Sequence, residues 1–110
     1  MCAFKHLYCG MDGFVVCCKE FGYFQLGYCG FALTLTAEDF EILYHLVRVK
    51  CTERQDPLYD NVKCIFIPTP CKNIHLFLTP HETVQFFNML ENADNEEKAL
   101  SMLSLFNGEW

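Results

Sequence analysis

Four residues near the amino terminus have side chains of the kinds that bind zinc: His6, Cys9, Cys17 and Cys18. Zinc prefers four nitrogen and sulfur ligands in a tetrahedral arrangement, and the His6-x-x-Cys9 spacing suits two ligands from one segment. Adjacent cysteines on a strand point to opposite faces, so Cys17 and Cys18 bind one ion together only where the strand ends. The alternative interpretation is that these cysteines are small hydrophobic side chains of the core.

Thiol chemistry without a metal is a second hypothesis. The chain has no Cys-x-x-Cys motif, and a catalytic cysteine needs a lowered pKa and a nearby base. The best available pairing is Cys71 with His75 or His81, and its alternative is an inert loop cysteine. His81-Glu82 begins like the zinc-protease helix motif, but Gln85 stands where that motif has its second histidine. A helix cap is therefore the favoured interpretation of His81-Glu82.

The remaining polar residues favour a protein that is not an enzyme. Acidic residues cluster near predicted helix ends, where capping explains them better than acid–base catalysis. The glycines lack the spacing of a phosphate-binding loop. The sequence therefore predicts no catalytic residues and no required cofactor, with zinc as the alternative. The acidic residues concerned are Glu38, Asp39, Glu41, Glu91, Asp94, Glu96 and Glu97.

Charge and composition limit the partners and the location. The net charge is −6, and the eight lysines and arginines are scattered, which argues against nucleic acids and anionic membrane surfaces. No apolar run has the length of a signal peptide core or the pattern of a membrane span. We therefore predict a cytoplasmic protein whose eight cysteines are mostly reduced thiols.

The 110 residues fit one α+β domain in four segments. These are an irregular segment 1–13, a first ββα half 14–50, a polar loop 51–61, and a second half 62–106 ending in a helix. The predicted fold is an antiparallel sheet of four to five strands with two to three helices packed on one face.

The first half contains the clearest local pattern, a hairpin over residues 23–36. With a two-residue turn at Cys29-Gly30, opposed apolar side chains form one buried face. The predicted pairs are Tyr28 with Phe31, Leu26 with Leu33, and Phe24 with Leu35. Thr36 then caps a helix with Asp39 in a capping box, and the predicted core-facing residues of that helix are Phe40, Leu43, Tyr44 and Val47.

The second half repeats this order. Strands over residues 62–67 and 74–78 lead into a helix capped by Thr79 and Glu82. We predict a break at Asn92-Ala93, after which Asp94 caps a last helix that ends near Phe106. Core-facing residues are predicted in both helices: Val84, Phe87 and Leu90 in the first, with Phe86 beside them, and Leu100, Leu103 and Phe106 in the second. Because residues 33–39 parallel residues 76–82, we interpret the chain as an internal ββα duplication.

The aromatic content favours a contact surface. The chain has eleven phenylalanines, more large rings than a small core needs, and a partner or second copy would cover the excess. The open sheet face is predicted to carry Tyr23, Cys64, Phe66, His75 and Phe77. The leading hypothesis is a non-enzymatic protein that acts through protein contacts, including a homodimer, and the alternative is a zinc- or thiol-dependent protein that uses the four amino-terminal ligands.

Residues 14–90 also carry a family resemblance. The runs FQLGYCGFALTLTAEDFEIL, FIPTP and NIHLFLTPHETVQFF resemble a family of short bacterial proteins of unknown function with two strand-pair and helix units. The resemblance implies the same fold but no activity, substrate or site residue. Members have spaced cysteines ahead of the first hairpin, whereas here Cys17 and Cys18 are adjacent and Phe21 stands where a second thiol is expected.

Overall fold

The computed structural model describes residues 4–53 and 61–107. It is an α+β structure with a four-stranded antiparallel sheet, a separate two-stranded sheet and two helices. Neither helix of this part of the chain is long and apolar enough to cross a membrane. The elements are β1 (Phe4–Cys9), β2 (Gly13–Cys18), β3 (Tyr23–Tyr28), β4 (Phe31–Thr36), α1 (Ala37–Thr52), β5 (Ile65–Pro68), β6 (His75–Leu78) and α2 (Pro80–Asn107).

The larger sheet is a simple meander in which β1, β2, β3 and β4 lie side by side in chain order. Opposed residues share a face of an antiparallel sheet, and the residue facing both Val15 and Leu33 is Leu26. All three side chains are buried. Both helices pack against this sheet and against each other, α2 over β1 and β2 and α1 over β3 and β4.

The β3–β4 hairpin confirms the predicted register. Tyr28 pairs with Phe31, and the other two predicted pairs also form. The turn residues Cys29 and Gly30 have φ values of 50° and 84°, and two positive φ angles give the two-residue turn whose twist matches that of the strands. Cys29 occupies a backbone conformation that asparagine or glycine adopts more readily.

The prediction that residues 1–13 are irregular is wrong within the described residues 4–13, because Phe4–Cys9 forms strand β1. Residues 4–9 pair with β2, and the register shifts between His6 and Tyr8. This bulge adds one residue to β1 and interrupts the alternation of inward and outward side chains. Leu7 is buried within the irregularity. The alternation of period two that marks a strand in the sequence is therefore interrupted at Leu7.

Strands β5 and β6 form a sheet of their own and do not extend the larger one. The strand predicted over 62–67 is Ile65–Pro68, and the one predicted over 74–78 is His75–Leu78. Their inward residues are buried in the common core, where α1 contacts β5 and α2 contacts β6. A two-stranded sheet is marginal by itself, so the helices stabilise it. The inward residues are Ile65, Ile67, Leu76 and Leu78.

Helix α1 begins where the capping pattern predicts. The Asp39 backbone N–H donates to Thr36 Oγ1 at 3.1 Å. Phe40, Leu43 and Val47 are buried, and the Phe40 ring stacks on Phe24 at a centroid distance of 4.5 Å. The strand–strand–helix order of β3, β4 and α1 recurs in β5, β6 and α2.

Helix α2 runs unbroken for 28 residues, so the predicted break at Asn92-Ala93 is wrong. Ala93 is fully buried, and alanine is the best helix former. Asp94 does not cap a new helix, because its Oδ2 accepts from Lys98 Nζ one turn later at 2.8 Å. The predicted inward face is also partly wrong, since Val84 is 49% exposed, whereas Phe86, predicted beside that face, is fully buried.

Candidate functional site

The four predicted zinc ligands do not converge. His6 lies opposite Val16 and Cys17 lies opposite Lys5, so His6 and Cys17 are on different faces of the sheet. Cys9 is exposed, Cys17 is half-buried, and Cys18 is buried and disulfide-bonded. A sulfur in a disulfide is not the thiolate that zinc requires. Across residues 4–53 and 61–107, no three His, Cys, Asp or Glu side chains are placed to hold a metal ion.

Among the described cysteines, Cys18 is disulfide-bonded and the other six are free thiols, and a mostly reduced state in solution stays a prediction. Within the described residues, no hydrogen bond joins Cys71 to His75 or His81. Cys71 is half-buried against the core, and its carbonyl accepts from the Ile74 N–H at 3.1 Å. The His75 ring stacks on Phe66 with a centroid distance of 4.8 Å, and His81 is exposed in the first turn of α2.

Three other thiols lie in environments that keep their protons. Burial raises the pKa of Cys51 to about 11. The Cys51 Sγ–H donates to the Thr83 carbonyl oxygen at 3.4 Å. Burial also raises the pKa of Cys17, and a hydrogen bond to Glu82 raises the pKa of Cys29. A nucleophilic cysteine needs the opposite shift. These thiols are therefore poor nucleophiles at neutral pH.

Glu82 joins three separate parts of the chain. The Thr79 N–H donates to Glu82 Oε1 at 2.9 Å and the Glu82 N–H donates to Thr79 Oγ1 at 3.0 Å, which completes the predicted capping box. Lys63 Nζ also donates to Oε1 at 2.5 Å, and the Cys29 thiol donates to Oε2 at 2.9 Å. The sequence pattern showed the box, but Lys63 and Cys29 are distant in sequence and were not predicted as partners.

Glu82 is expected to make stability depend on pH in the acidic range. Burial opposes its ionisation, but hydrogen bonds from Cys29, Lys63 and the Thr79 N–H outweigh burial and hold its pKa at about 2. A pKa lowered in the folded state stabilises the protein above the unfolded value near 4.5, and this contribution is lost as the pH falls toward 2. Urea unfolding at several pH values should show this loss in the native chain and less of it in Glu82→Gln. Glu38→Gln, in the first turn of α1, is the matched control. An unchanged pH dependence in Glu82→Gln would contradict the assignment.

The outer face of the β5–β6 sheet carries exposed rings. Phe66 and Phe77 are directly opposed and are 55% and 54% exposed. The Phe66 ring contacts Phe77 edge to face at 6.4 Å, and it also stacks on His75. Cys64 is exposed beside them, so four of the five predicted surface residues share one region. The fifth, Tyr23, lies on the other sheet against Phe4 and Phe21.

The second exposed apolar region is formed by four side chains in the last part of α2, within residues 98–107, where Ser104 is buried. Met102, Leu103, Leu105 and Phe106 are 60%, 56%, 77% and 82% exposed. This corrects the prediction that Leu103 and Phe106 pack inward, whereas Leu100 does contact the core. A 28-residue helix is about 42 Å long, and strands of six residues span about 20 Å. Helix α2 is therefore longer than the sheet on which it packs, in a molecule of 51 × 27 × 24 Å.

Comparisons with protein-family models, with curated protein sequences and with solved structures find no match to this chain.

Proposed function

We propose that this protein is a non-enzymatic protein that acts through protein–protein contacts, as a homodimer whose copies pair through residues 98–107 of α2. The observation that carries the proposal is the exposed apolar end of this helix. The raised pKa values of Cys17, Cys29 and Cys51 support a role without thiol catalysis. A cytoplasmic location and kinship with the short bacterial family are parts of the same proposal.

The exposed side chains form a helical stripe. Ala99, Met102, Leu103 and Phe106 have the spacing i, i+3, i+4 and i+7, which places them on one face of a helix. All four are exposed. Lys98 is the only charged residue between 98 and 107. A helix face with this composition is typical of one that packs against another apolar surface.

A second copy of the chain is the occupant that this stripe fits. Two helix ends related by a twofold axis present the same stripe to each other, which is the arrangement of most homodimers. Met102, Leu103 and Phe106 of the stripe, together with Leu105 beside it, expose about 500 Å² per copy. Two copies then bury at most about 1,000 Å², close to the lower bound for a specific interface. The expected dimer is therefore weak and depends on concentration.

Charge sets the salt dependence of this dimer. Each copy has a net charge of −6, so two copies repel at long range, while the stripe itself contains no acidic residue. Salt screens repulsion between exposed charges and leaves the apolar contact in place. We therefore expect dimerisation to become stronger, not weaker, as the salt concentration rises.

Sedimentation equilibrium over a range of concentrations tests the proposal. The average mass should rise from 12.8 kDa toward twice that value, and Phe106→Ser should raise the dimer Kd at least about tenfold, a loss of roughly 1.4 kcal/mol. Phe77→Ser removes an equally large exposed ring from the β5–β6 face and should leave the Kd unchanged. A monomer up to about 1 mM, or a dimer weakened by Phe77→Ser and not by Phe106→Ser, would contradict the proposed contact.

A further inference from the structure

A cavity of about 250 Å³ lies between the four-stranded sheet and the two helices. It is located where β1 begins and β2 ends, and Glu97 of α2 also lines it. Its apolar lining includes Leu7, Phe24 and Phe40, which are buried members of the core. The apolar base of the cavity is therefore part of the hydrophobic core.

Two lysines line the cavity on the sheet side. Lys5 is on β1, and Lys19 directly follows β2. Both lysines line the same cavity, and burial together with the neighbouring Lys19 lowers the pKa of Lys5. Paired cations of this kind attract a carboxylate or another small anion. The sheet side of the cavity is therefore suited to the negative end of a ligand.

Three carboxylates line the helix side: Glu41 from α1, and Asp94 and Glu97 from α2. Glu41 and Asp94 line the same side of the cavity, and burial together with the neighbouring Asp94 raises the pKa of Glu41. Asp94 accepts from Lys98, and Glu97 Oε1 accepts from the Ser101 hydroxyl at 2.9 Å. Neighbouring carboxylates gain from a shared cation or hydrogen-bond donor. The helix side is therefore suited to an ammonium group.

We propose that this cavity binds a small zwitterion with an apolar side chain, of the size and chemistry of an aliphatic α-amino acid. The ligand carboxylate contacts Lys5 and Lys19, its ammonium group contacts Glu41 and Asp94, and its side chain lies over Phe24 and Phe40. A water molecule occupies about 30 Å³ in the liquid, so the cavity holds roughly eight waters or one amino acid. A ligand with a single charge would contact one wall favourably and desolvate the other.

The cavity also contains a chemical reporter. Cys17 lines it and is a half-buried free thiol. Because burial raises the pKa of the Cys17 thiol, its alkylation is followed at mildly alkaline pH by peptide mass spectrometry, and a bound ligand should slow it. The exposed thiol of Cys64 lies outside the residues that line the cavity and should react at an unchanged rate. This measurement reports occupancy in the native chain without any substitution.

Titration with L-leucine, followed by amide chemical shifts, tests the proposal directly. We expect saturable shifts at residues around the cavity, and at least tenfold weaker binding of 4-methylpentanoate and 3-methylbutylamine, which each keep one of the two charges. Lys19→Gln and Glu41→Gln should each weaken leucine binding at least tenfold. Lys72→Gln, which removes a lysine outside the cavity lining, should not change the affinity.

The outcomes separate the amino-acid site from simpler explanations. Equal binding of 4-methylpentanoate and leucine would show an anion site at the lysines and overturn the proposal. Absence of saturable shifts together with unprotected Cys17 would also overturn it. Both substituted residues are at the surface of the fold, so unfolding midpoints close to that of the native chain show that weaker binding is not a loss of structure. Dimerisation is measured independently and does not enter this test.

Discussion

Phe86→Ala is expected to lower the free energy of unfolding by about 3–5 kcal/mol. The Phe86 side chain is fully buried, and its ring stacks on Tyr28 at a centroid distance of 5.1 Å and meets Phe31 edge to face at 5.8 Å. These contacts join α2 to the β3–β4 hairpin. Alanine would remove the ring from both partners and leave a cavity that the surrounding sheet and helix cannot close.

The Tyr28 hydroxyl makes this cavity difficult to close. It donates to Gln85 Oε1 at 2.5 Å and lies 3.1 Å from the Glu82 carbonyl oxygen. Burial raises the pKa of Tyr28, so the hydroxyl stays protonated and continues to donate. Because the hydrogen bonds hold the Tyr28 ring in place, it cannot move into the space that Phe86→Ala would create. The loss should therefore lie toward the upper end of the range.

Urea unfolding followed by circular dichroism measures this loss. Phe77→Ala is the matched control, because the same ring is removed from an exposed position on β6, and it should cost less than about 1 kcal/mol. Similar losses in the two variants would mean that Phe86 is not at the centre of the core. A midpoint shift without a change in the slope against urea would show that the effect is on stability alone.

Gly13→Ala is expected to destabilise the protein by about 3 kcal/mol, at the upper end of the cost of overpacking. A Cβ atom at Gly13 would lie 2.1 Å from the Gly27 carbonyl oxygen and 3.0 Å from Met89 Sδ. The first of these neighbours is backbone of the adjacent strand, paired residue by residue with β2. It cannot move away without breaking the register of the sheet.

Gly27→Ala provides a matched comparison on the neighbouring strand. A Cβ atom there would lie 2.4 Å from Phe14 Cε1, which belongs to a partly exposed side chain. The Phe14 ring can rotate toward solvent, so we expect a cost of about 1 kcal/mol. Thermal unfolding of both variants tests the distinction between a backbone and a side-chain obstacle. A larger loss for Gly27→Ala than for Gly13→Ala would contradict it.

Local patterns in the sequence predicted the parts of the fold that depend on neighbours in the chain. The turn at Cys29-Gly30, the register of β3 and β4, and the caps at Thr36 and Thr79 all involve residues close in sequence. Their physical causes are backbone φ preferences, alternation of side chains across a strand, and side-chain acceptors for unpaired N–H groups. Each of these acts within a few residues, so each is visible in a single sequence.

Long-range packing decided the features that the sequence did not predict. The bulge in β1 is formed against β2, and burial of Ala93 in the core keeps α2 continuous through a polar segment. Strands β5 and β6 have ordinary strand patterns, but the covering helices make them a separate sheet. A local pattern does not show which distant surface will bury a side chain.

The candidate sites show the same division. The sequence by itself gives the net charge, the number of aromatic residues and the types of side chain near the amino terminus. From these we predicted a protein that acts through protein–protein contacts and not an enzyme. Separation of His6 from Cys17 and the exposure of Phe106 follow from strand register and from the length of α2 relative to the sheet. The cavity brings Lys5 and Lys19 within one space with Glu41 and Asp94, residues up to 89 positions apart in the chain. Only the tertiary structure decides such proximity, because it depends on how helices and sheet pack and not on any spacing along the chain.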